Sequence, residues 1–527
     1  MTKAPVVRTT CVLDCPDTCS LEVSVENGVI GTIRGSQDHP TTNGFICSKV
    51  SQFARRVYHD QRLLYPLRRR GAKGEGDFVR ISWDEAIAEI TARFRSIIRR
   101  HGGEAILPYD YGGSNGFITA EFIDSIYFAR LGASRLAKTV CAAPTGEVAK
   151  GMYGKMAGVA FEDYPAARLI LIWGANPKVS NIHLVPFLKE AKKKGAFIAV
   201  VDPVRNFSPA LVDLHMPVYP GADLPVALAM IRLWKEAGSL DQAFIGKHAE
   251  GLGPLLERAR AWTAERAASE ARVSPESIRK LATVYAETSP AVLRCGWGVE
   301  RNRNGGQAVA AILAMPALLG KFGVRGGGYT LSNSGAGRAD MSRIWDESSW
   351  RTRVLNMTRL GELLTNGLKP PLKAFFVFNC NPVASVPDQK RIIRGLSRED
   401  LFTVVFEQVL TDTARYADIL LPATTFLEHH DVRRAYGSYV AGGIRPVIEP
   451  RGEARSNPDV FAALGRAMGF QDEPFSWSPE EARRRILEAT ELNGRAANRV
   501  VLAAGRAHLY DFPGPSPVQF GTVFPKT

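Results

Sequence analysis

A unit written twice in this chain, at an offset of 205 residues, narrows its fold more than any other feature. At 168–173 an apolar run of strand length ends in the turn residues Gly174, Asn176 and Pro177. A helix-compatible stretch follows, and a second apolar run at 196–201 ends in Asp202. That order predicts a βαβ unit. The run at 374–378, the turn Asn379-Cys380-Asn381-Pro382 and the run at 401–406 ending in Glu407 repeat it. In ungapped register Asn176 matches Asn381, Pro177 matches Pro382, Asp202 matches Glu407, Asp213 matches Asp418 and Pro217 matches Pro422. Two related doubly wound α/β domains are the expected fold.

In such sheets ligands sit beyond the carboxyl ends of the strands, where Asn176, Asp202, Asn381 and Glu407 fall. A turn asparagine offers donors and acceptors, and a carboxylate ending the second strand suits a ribose hydroxyl or a purine amine. Two facing nucleotide sites are expected. Taken singly, each of these residues also fits a plain turn cap. Gly221-Ala222-Asp223 precedes an apolar helical run, so Asp223 stands at a helix start or faces a guanine edge. Gly296-Trp297-Gly298 and Gly305-Gly306 let backbone amides approach a diphosphate, whereas Gly326-Gly327-Gly328 reads as a flexible turn. Ser82-Trp83-Asp84-Glu85 is a capping box before apolar residues at helical spacing, closed by Gly102-Gly103; this helix is scaffold.

Upstream of the repeat lie Cys11, Cys15 and Cys19 in one tight loop and Cys47 at a distance. Four soft ligands in that arrangement suit the corners of an iron–sulfur cubane, which implies electron transfer. A zinc site would more often use two separated pairs, and disulfides would need an oxidising compartment. Met1 to Thr10 shows no apolar leader or twin-arginine pair, so the expected location is cytoplasmic. The 527 residues allow three or more domains, and no apolar run is long enough for a membrane span. The net charge of +14 is dispersed, with no nucleic-acid-binding motif, and suits a solvated surface or clefts that draw anionic cofactors or an oxyanion.

The stretches CVLDCPDTC at 11–19, FICSK at 45–49, RISWDEAI at 80–87, WGANP at 173–177 and ADILLPATTFLE at 417–428 together resemble the molybdopterin oxidoreductases of the dimethyl sulfoxide reductase family. That family includes nitrate reductases, formate dehydrogenases, and thiosulfate and polysulfide reductases. The resemblance implies a 4Fe–4S cluster and molybdenum or tungsten held by two pterin guanine dinucleotides. It implies Cys141 as the protein's ligand to that metal and Lys49 as a cation between the cluster and one pterin. Asn176, Asp202 and Asp223 would serve one dinucleotide; Gly298, Asn381 and Glu407 would serve the other or the joining region. Tyr109 to Gly113 and Glu147 lie near enough in sequence to Cys141 to line the pocket, while Cys295 and Cys380 match no ligand position.

Formate dehydrogenases place histidine after the metal-binding residue; Ala142 stands there and disfavours formate. The family's closing barrel-like domain is expected to be missing after Asp459, with a proline-rich stretch at 513–517 instead, and to come from a separate subunit or to be lost in a shortened product. The expected organisation is a cluster domain at 1–65, a mixed α/β region with the metal-ligand loop at 66–165, nucleotide-binding domains at 166–290 and 291–460, and a helical, proline-rich tail at 461–527. The expected activity is transfer of an oxygen atom, a sulfur atom or a hydride equivalent to or from a small molecule, with electrons passing to a partner protein or subunit. The alternatives are a non-catalytic relay or scaffold subunit resembling the large peripheral subunit of respiratory complex I, and a non-redox hydratase on the same cofactor.

Overall fold

A computed structural model describes residues 5–492 apart from 155, 157, 335–337, 340, 341 and 343, together with 495, 496 and 506–508. The proline-rich stretch at 513–517 lies outside the described residues. The chain begins with a three-stranded antiparallel sheet, Val6–Thr10, Ser20–Glu26 and Val29–Gly35. Alternation buries Leu21 and Val23 on one face of it. The turn between its first two strands carries Cys11, Cys15 and Cys19.

Two larger sheets follow. The first is five-stranded and parallel, in the order Leu214–Met216, Phe197–Val201, Leu169–Trp173, Ala291–Cys295, Gly328–Thr330. The second is six-stranded, in the order Phe78–Arg80, Leu67–Arg69, Ile419–Pro422, Phe402–Glu407, Ala374–Phe378, Ile106–Asp110. Its last four strands are parallel and its first two add an antiparallel edge. The central strands are buried on both faces, which is why they read as unbroken apolar runs rather than alternating ones.

The repeat extends into the hydrogen bonding. Leu169 pairs with Phe197 as Ala374 pairs with Phe402, and Ala199 pairs with Leu214 as Val404 pairs with Ile419, every residue shifted by 205. Gly174 and Asn379 both turn through left-handed backbone, at φ 59° and 53°. Asp213 accepts from the Ile198 amide at 2.8 Å, and Asp418 from the Thr403 amide at 2.7 Å.

Sheet membership does not follow the boundary expected at 290/291. Ala291–Cys295 pairs with Leu169–Trp173, so 291–330 completes the first sheet, while the second sheet recruits strands from 67–110. A parallel strand returns through a crossover that inserts it on either side of its predecessor, so neighbours in sequence need not share a sheet. The unit at 166–330 is thus an insertion within the chain of the second sheet. Gly326 is packed rather than loose: at φ 78° a side chain there would meet the Ala167 amide nitrogen at 2.6 Å.

The scaffold helix is Trp83–His101, with Ser82 and Glu85 closing a reciprocal capping box and Gly102 ending it at φ 80°. Its buried Ala86, Ile90 and Phe94 pack on the second sheet with Phe376 and Phe402. No helix among the described residues is long and apolar enough to cross a membrane.

Candidate active site

The cysteine loop closes on itself through the Cys11 amide, which donates to the Cys19 carbonyl at 2.9 Å. Cys47 arrives from the other side, directly before the short helix Ser48–Ser51. Cys11 and Cys19 are buried, while Cys15 and Cys47 are half-buried. Burial pushes the Cys11 thiol up to about 12, and Cys47 adds to that rise. Cys15 and Cys19 are raised too, first by burial and then by Asp17 and the other cysteines. Cys11, Cys15 and Cys19 are thus unfavourable as free thiolates, and cationic iron would offset that cost. Among the described residues no three potential ligands close on one point as a single metal ion requires. Four cysteine sulfurs, three from one loop and one from a later turn, are the donor set that a cubane takes.

Two buried groups anchor this loop. Asp17 accepts from Asn181 Nδ2 at 2.6 Å and lies 2.8 Å from His183 Nδ1, fastening the loop to the first nucleotide unit. Arg433 donates to the Cys15 carbonyl at 3.4 Å and the Asn115 carbonyl at 3.0 Å, bringing a buried cation to the anionic side. Sequence reasoning missed both anchors. Arg433 and Arg434 look like surface residues until the strand Asp431–Arg434 is recognised, where alternation sends them to opposite faces.

The strand-end residues gather as the repeat requires, with one asymmetry. Asn176 and Asn381 have nearly the same backbone, φ −116°, ψ 80° and φ −122°, ψ 78°, and each is followed by a short helix opened by proline. Ser180 donates to the Asn176 carbonyl at 3.0 Å and Ser385 to the Asn381 carbonyl at 2.8 Å. The Asn176 Oδ1 is buried without a partner. The Asn381 Oδ1 accepts from the Thr413 amide at 3.2 Å and its hydroxyl at 2.6 Å. An orphaned buried carbonyl beyond a strand end fits a bound donor such as a nucleotide amine.

Asp202 is half-buried and accepts from the Val204 amide at 2.8 Å; burial raises its pKa. Asp223, buried at the start of the helix Asp223–Glu236, accepts from the Trp173 indole at 2.8 Å, and burial reinforced by Asp202 raises it. Glu407 accepts from the Gln408 amide at 2.6 Å and lies 3.8 Å from Arg56. Gly298 does not stand with Asn381 and Glu407. The turn after Ala291–Cys295 lies against the turn after Leu169–Trp173, so the Gly298 amide donates to the Gly174 carbonyl at 3.1 Å. A methyl at Gly298 would meet that carbonyl at 2.6 Å, and Gly298 therefore belongs beside Asn176.

Cys141 is half-buried where the units meet, just before the helix Ala143–Tyr153. Its amide donates to the Tyr111 hydroxyl, from the second unit, at 3.2 Å. Arg301 of the first unit donates to the Val140 carbonyl at 2.9 Å. Lys49 is exposed on the helix after Cys47. Tyr109 is buried with its hydroxyl on the Met357 carbonyl at 3.0 Å, and Glu147 faces solvent, so neither lines a pocket beside Cys141. Glu428, in the ADILLPATTFLE stretch, is bound by buried Arg62 at 2.9 Å and by the Arg451 amide at 2.8 Å, a structural tie.

A cavity of about 930 Å³ opens beside the second sheet, lined by Asp110, Lys138, Lys150, Trp345, Trp350 and Arg434 among others. Lys138 bridges Asp110 at 2.6 Å and Glu121 at 2.9 Å.

The family model described as "Molybdopterin oxidoreductase" matches residues 62–467, and "Molybdopterin oxidoreductase Fe4S4 domain" matches residues 4–59. A "Probable oxidoreductase YoaE" of Bacillus subtilis (strain 168) is 38% identical over 486 residues, covering 92% of this chain and 71% of that protein. The assimilatory nitrate reductase catalytic subunit of the same organism is 25% identical over 488 residues, covering 86% of this chain and 67% of that protein. The solved structure of acetylene hydratase from Pelobacter acetylenicus shares the fold with TM-score 0.81 at 23% identity, over 98% of this chain and 76% of that one. Domain models spanning the cysteine loop and both sheets, with the 38% identical Bacillus subtilis relative, establish that the chain belongs to the molybdopterin oxidoreductases and uses a molybdenum–molybdopterin cofactor with a 4Fe–4S cluster.

Proposed function

We propose that this chain transfers an oxygen atom, a sulfur atom or a hydride equivalent to or from a small substrate, with electrons leaving singly through the cluster to a partner protein. The observation that carries this reading is the setting of Cys141, half-buried between Tyr111 of one unit and Arg301 of the other. A thiolate there is a strong soft donor for a high-valent metal. The molybdenum or tungsten cofactor, in the form of two pterin guanine dinucleotides, supplies two-electron chemistry when bound. Asn176, Asp202, Asp223 and Gly298 would hold one dinucleotide, Asn381 and Glu407 the other. Lys49 would lie toward a pterin from the cluster side. Cys11, Cys15, Cys19 and Cys47 would ligate the cubane.

Metal analysis of protein purified without oxygen tests the reading. Near-stoichiometric molybdenum or tungsten with about four irons agrees with it, and iron alone favours the relay subunit. Cys141→Ala should abolish turnover while the cluster's spectroscopic signal persists.

A further inference from the structure

Of the three cations lining this cavity, Lys138, Lys150 and Arg434, Arg434 is the one with no ion pair among the described residues. Lys138 is balanced by Asp110 and Glu121, and the Asp124 carboxylate accepts from the amides of Phe122 at 2.8 Å and Glu121 at 3.2 Å. No carboxylate among the described residues acts on Arg434; burial and the neighbouring Arg433 do, and push it down only to about 10. It therefore stays cationic at neutral pH. Its guanidinium carbon lies 5.5 Å from the centre of the Phe117 ring, on the cavity wall. A desolvated cation without a counter-charge is costly unless an anion binds it.

The rest of the wall is aromatic. The Trp345 and Trp350 rings lie 6.5 Å apart, and the Trp350 indole N–H is already donated to the Ala133 carbonyl at 2.8 Å, leaving its carbon faces for the cavity. A volume of about 930 Å³ is at the upper end for small-molecule pockets and far exceeds a bare inorganic oxyanion. Two of its lining residues neighbour the Cys141 loop along the chain: Lys138 precedes Cys141 by three residues, and Asp110 adjoins Tyr111, which holds the Cys141 amide.

We propose that this cavity is the substrate chamber and that it selects an organic anion, with Arg434 holding the acidic group and Trp345 and Trp350 the apolar body. The proposal rests on the functional reading above and names the substrate class of that same site. Arg434 is the group that discriminates, because a guanidinium takes a carboxylate or sulfonate through two parallel hydrogen bonds.

Calorimetric titration of the holoenzyme with 4-nitrobenzoate, with neutral nitrobenzene and with nitrate tests it. Binding of 4-nitrobenzoate should be about tenfold or more tighter than that of either other probe. Arg434→Gln should erase the preference over nitrobenzene, Arg434→Lys should retain part of it, and Trp345→Leu should weaken both aromatic probes alike. Equal affinity for the two aromatic probes overturns the proposal. So does nitrate binding as tightly as 4-nitrobenzoate, an unchanged preference in Arg434→Gln, or binding confined to cofactor-free protein, which would make the cavity the cofactor's own. Should Arg434→Gln fail to fold, the wild-type ranking of the three probes still decides. Molybdenum content of the same preparation separates the two readings: a loaded enzyme without anion preference refutes the chamber alone, and a preparation with iron but no molybdenum refutes the functional reading while the ranking still judges the chamber.

Discussion

Arg301 reaches from the first nucleotide unit to the loop of the proposed metal ligand, with Nη1 donating to the Val140 carbonyl at 2.9 Å and Nη2 4.0 Å from the Cys141 sulfur. The carbonyl contact orients the loop, and the charge stands beside a sulfur that must lose its proton to bind metal. Groups that orient a ligand from behind typically matter about 10–100-fold in metal affinity or activity. Arg301→Gln should lower molybdenum content and kcat by at least about tenfold, with Arg301→Lys intermediate. Metal analysis and steady-state kinetics on the same preparations check this, and unchanged molybdenum content would remove Arg301 from the role.

The twin asparagines should respond differently to the same change. Asn381→Ala removes the acceptor of two Thr413 hydrogen bonds and should cost about 1–3 kcal/mol. Asn176→Ala deletes a carbonyl that has no partner, so the cofactor-free protein should keep its stability within about 0.5 kcal/mol. It should nonetheless retain less guanine dinucleotide. Denaturant midpoints of cofactor-free protein and nucleotide content of the loaded form separate the two effects.

Each cluster cysteine should be individually necessary for a full complement of iron. Cys19→Ser replaces a buried sulfur within the loop that Cys11 closes. Iron should fall below the wild-type value of about four per chain, together with the visible absorbance of the cluster. Wild-type iron in this variant would exclude Cys19 as a ligand.

His429 sets part of the acid stability. It is buried, with Nδ1 2.8 Å from the Thr424 hydroxyl, and burial holds it down at about 4 against an ordinary 6.5. The unfolded chain therefore binds the extra proton between those values. The contribution is whole above about pH 6.5 and is lost as pH falls toward 4, about 3 kcal/mol in all. Asp431, pushed up to about 6 by burial, acts in the opposite sense, since its share of stability is lost as pH rises from about 4 to 6. The difference between His429→Gln and wild type isolates the histidine. The gap in denaturant midpoint should shift in favour of the variant from pH 7 to pH 5, and a constant gap would show that His429 does not titrate in this way.

Much of the fold is legible in the residues. The 205-residue offset, the turns at Asn176 and Asn381 and the buried runs before them appear in the structure as the same strand register twice, because each is a local matter of apolar run, turn chemistry and crossover. The capping box at Ser82 is local in the same way. Gly298 was not legible in this sense: its glycine loop was visible, but its neighbour depends on which sheet Ala291–Cys295 joins. Nor was the packing of Gly326, which depends on the distant Ala167.

What the sequence determined by itself is therefore the set of parts: two related α/β units, a three-cysteine loop with a fourth cysteine at 47, and a cysteine at 141 ahead of the first unit. Only the tertiary structure decided that 166–330 forms one inserted sheet, that Arg433 turns toward the cysteine loop while Arg434 turns into a cavity, and that one twin asparagine carbonyl is spent while the other is free. The physical reason is that short-range preferences act between residues near in sequence. Pairing of parallel strands, burial of charge and satisfaction of polar atoms are settled by partners that only the fold brings together.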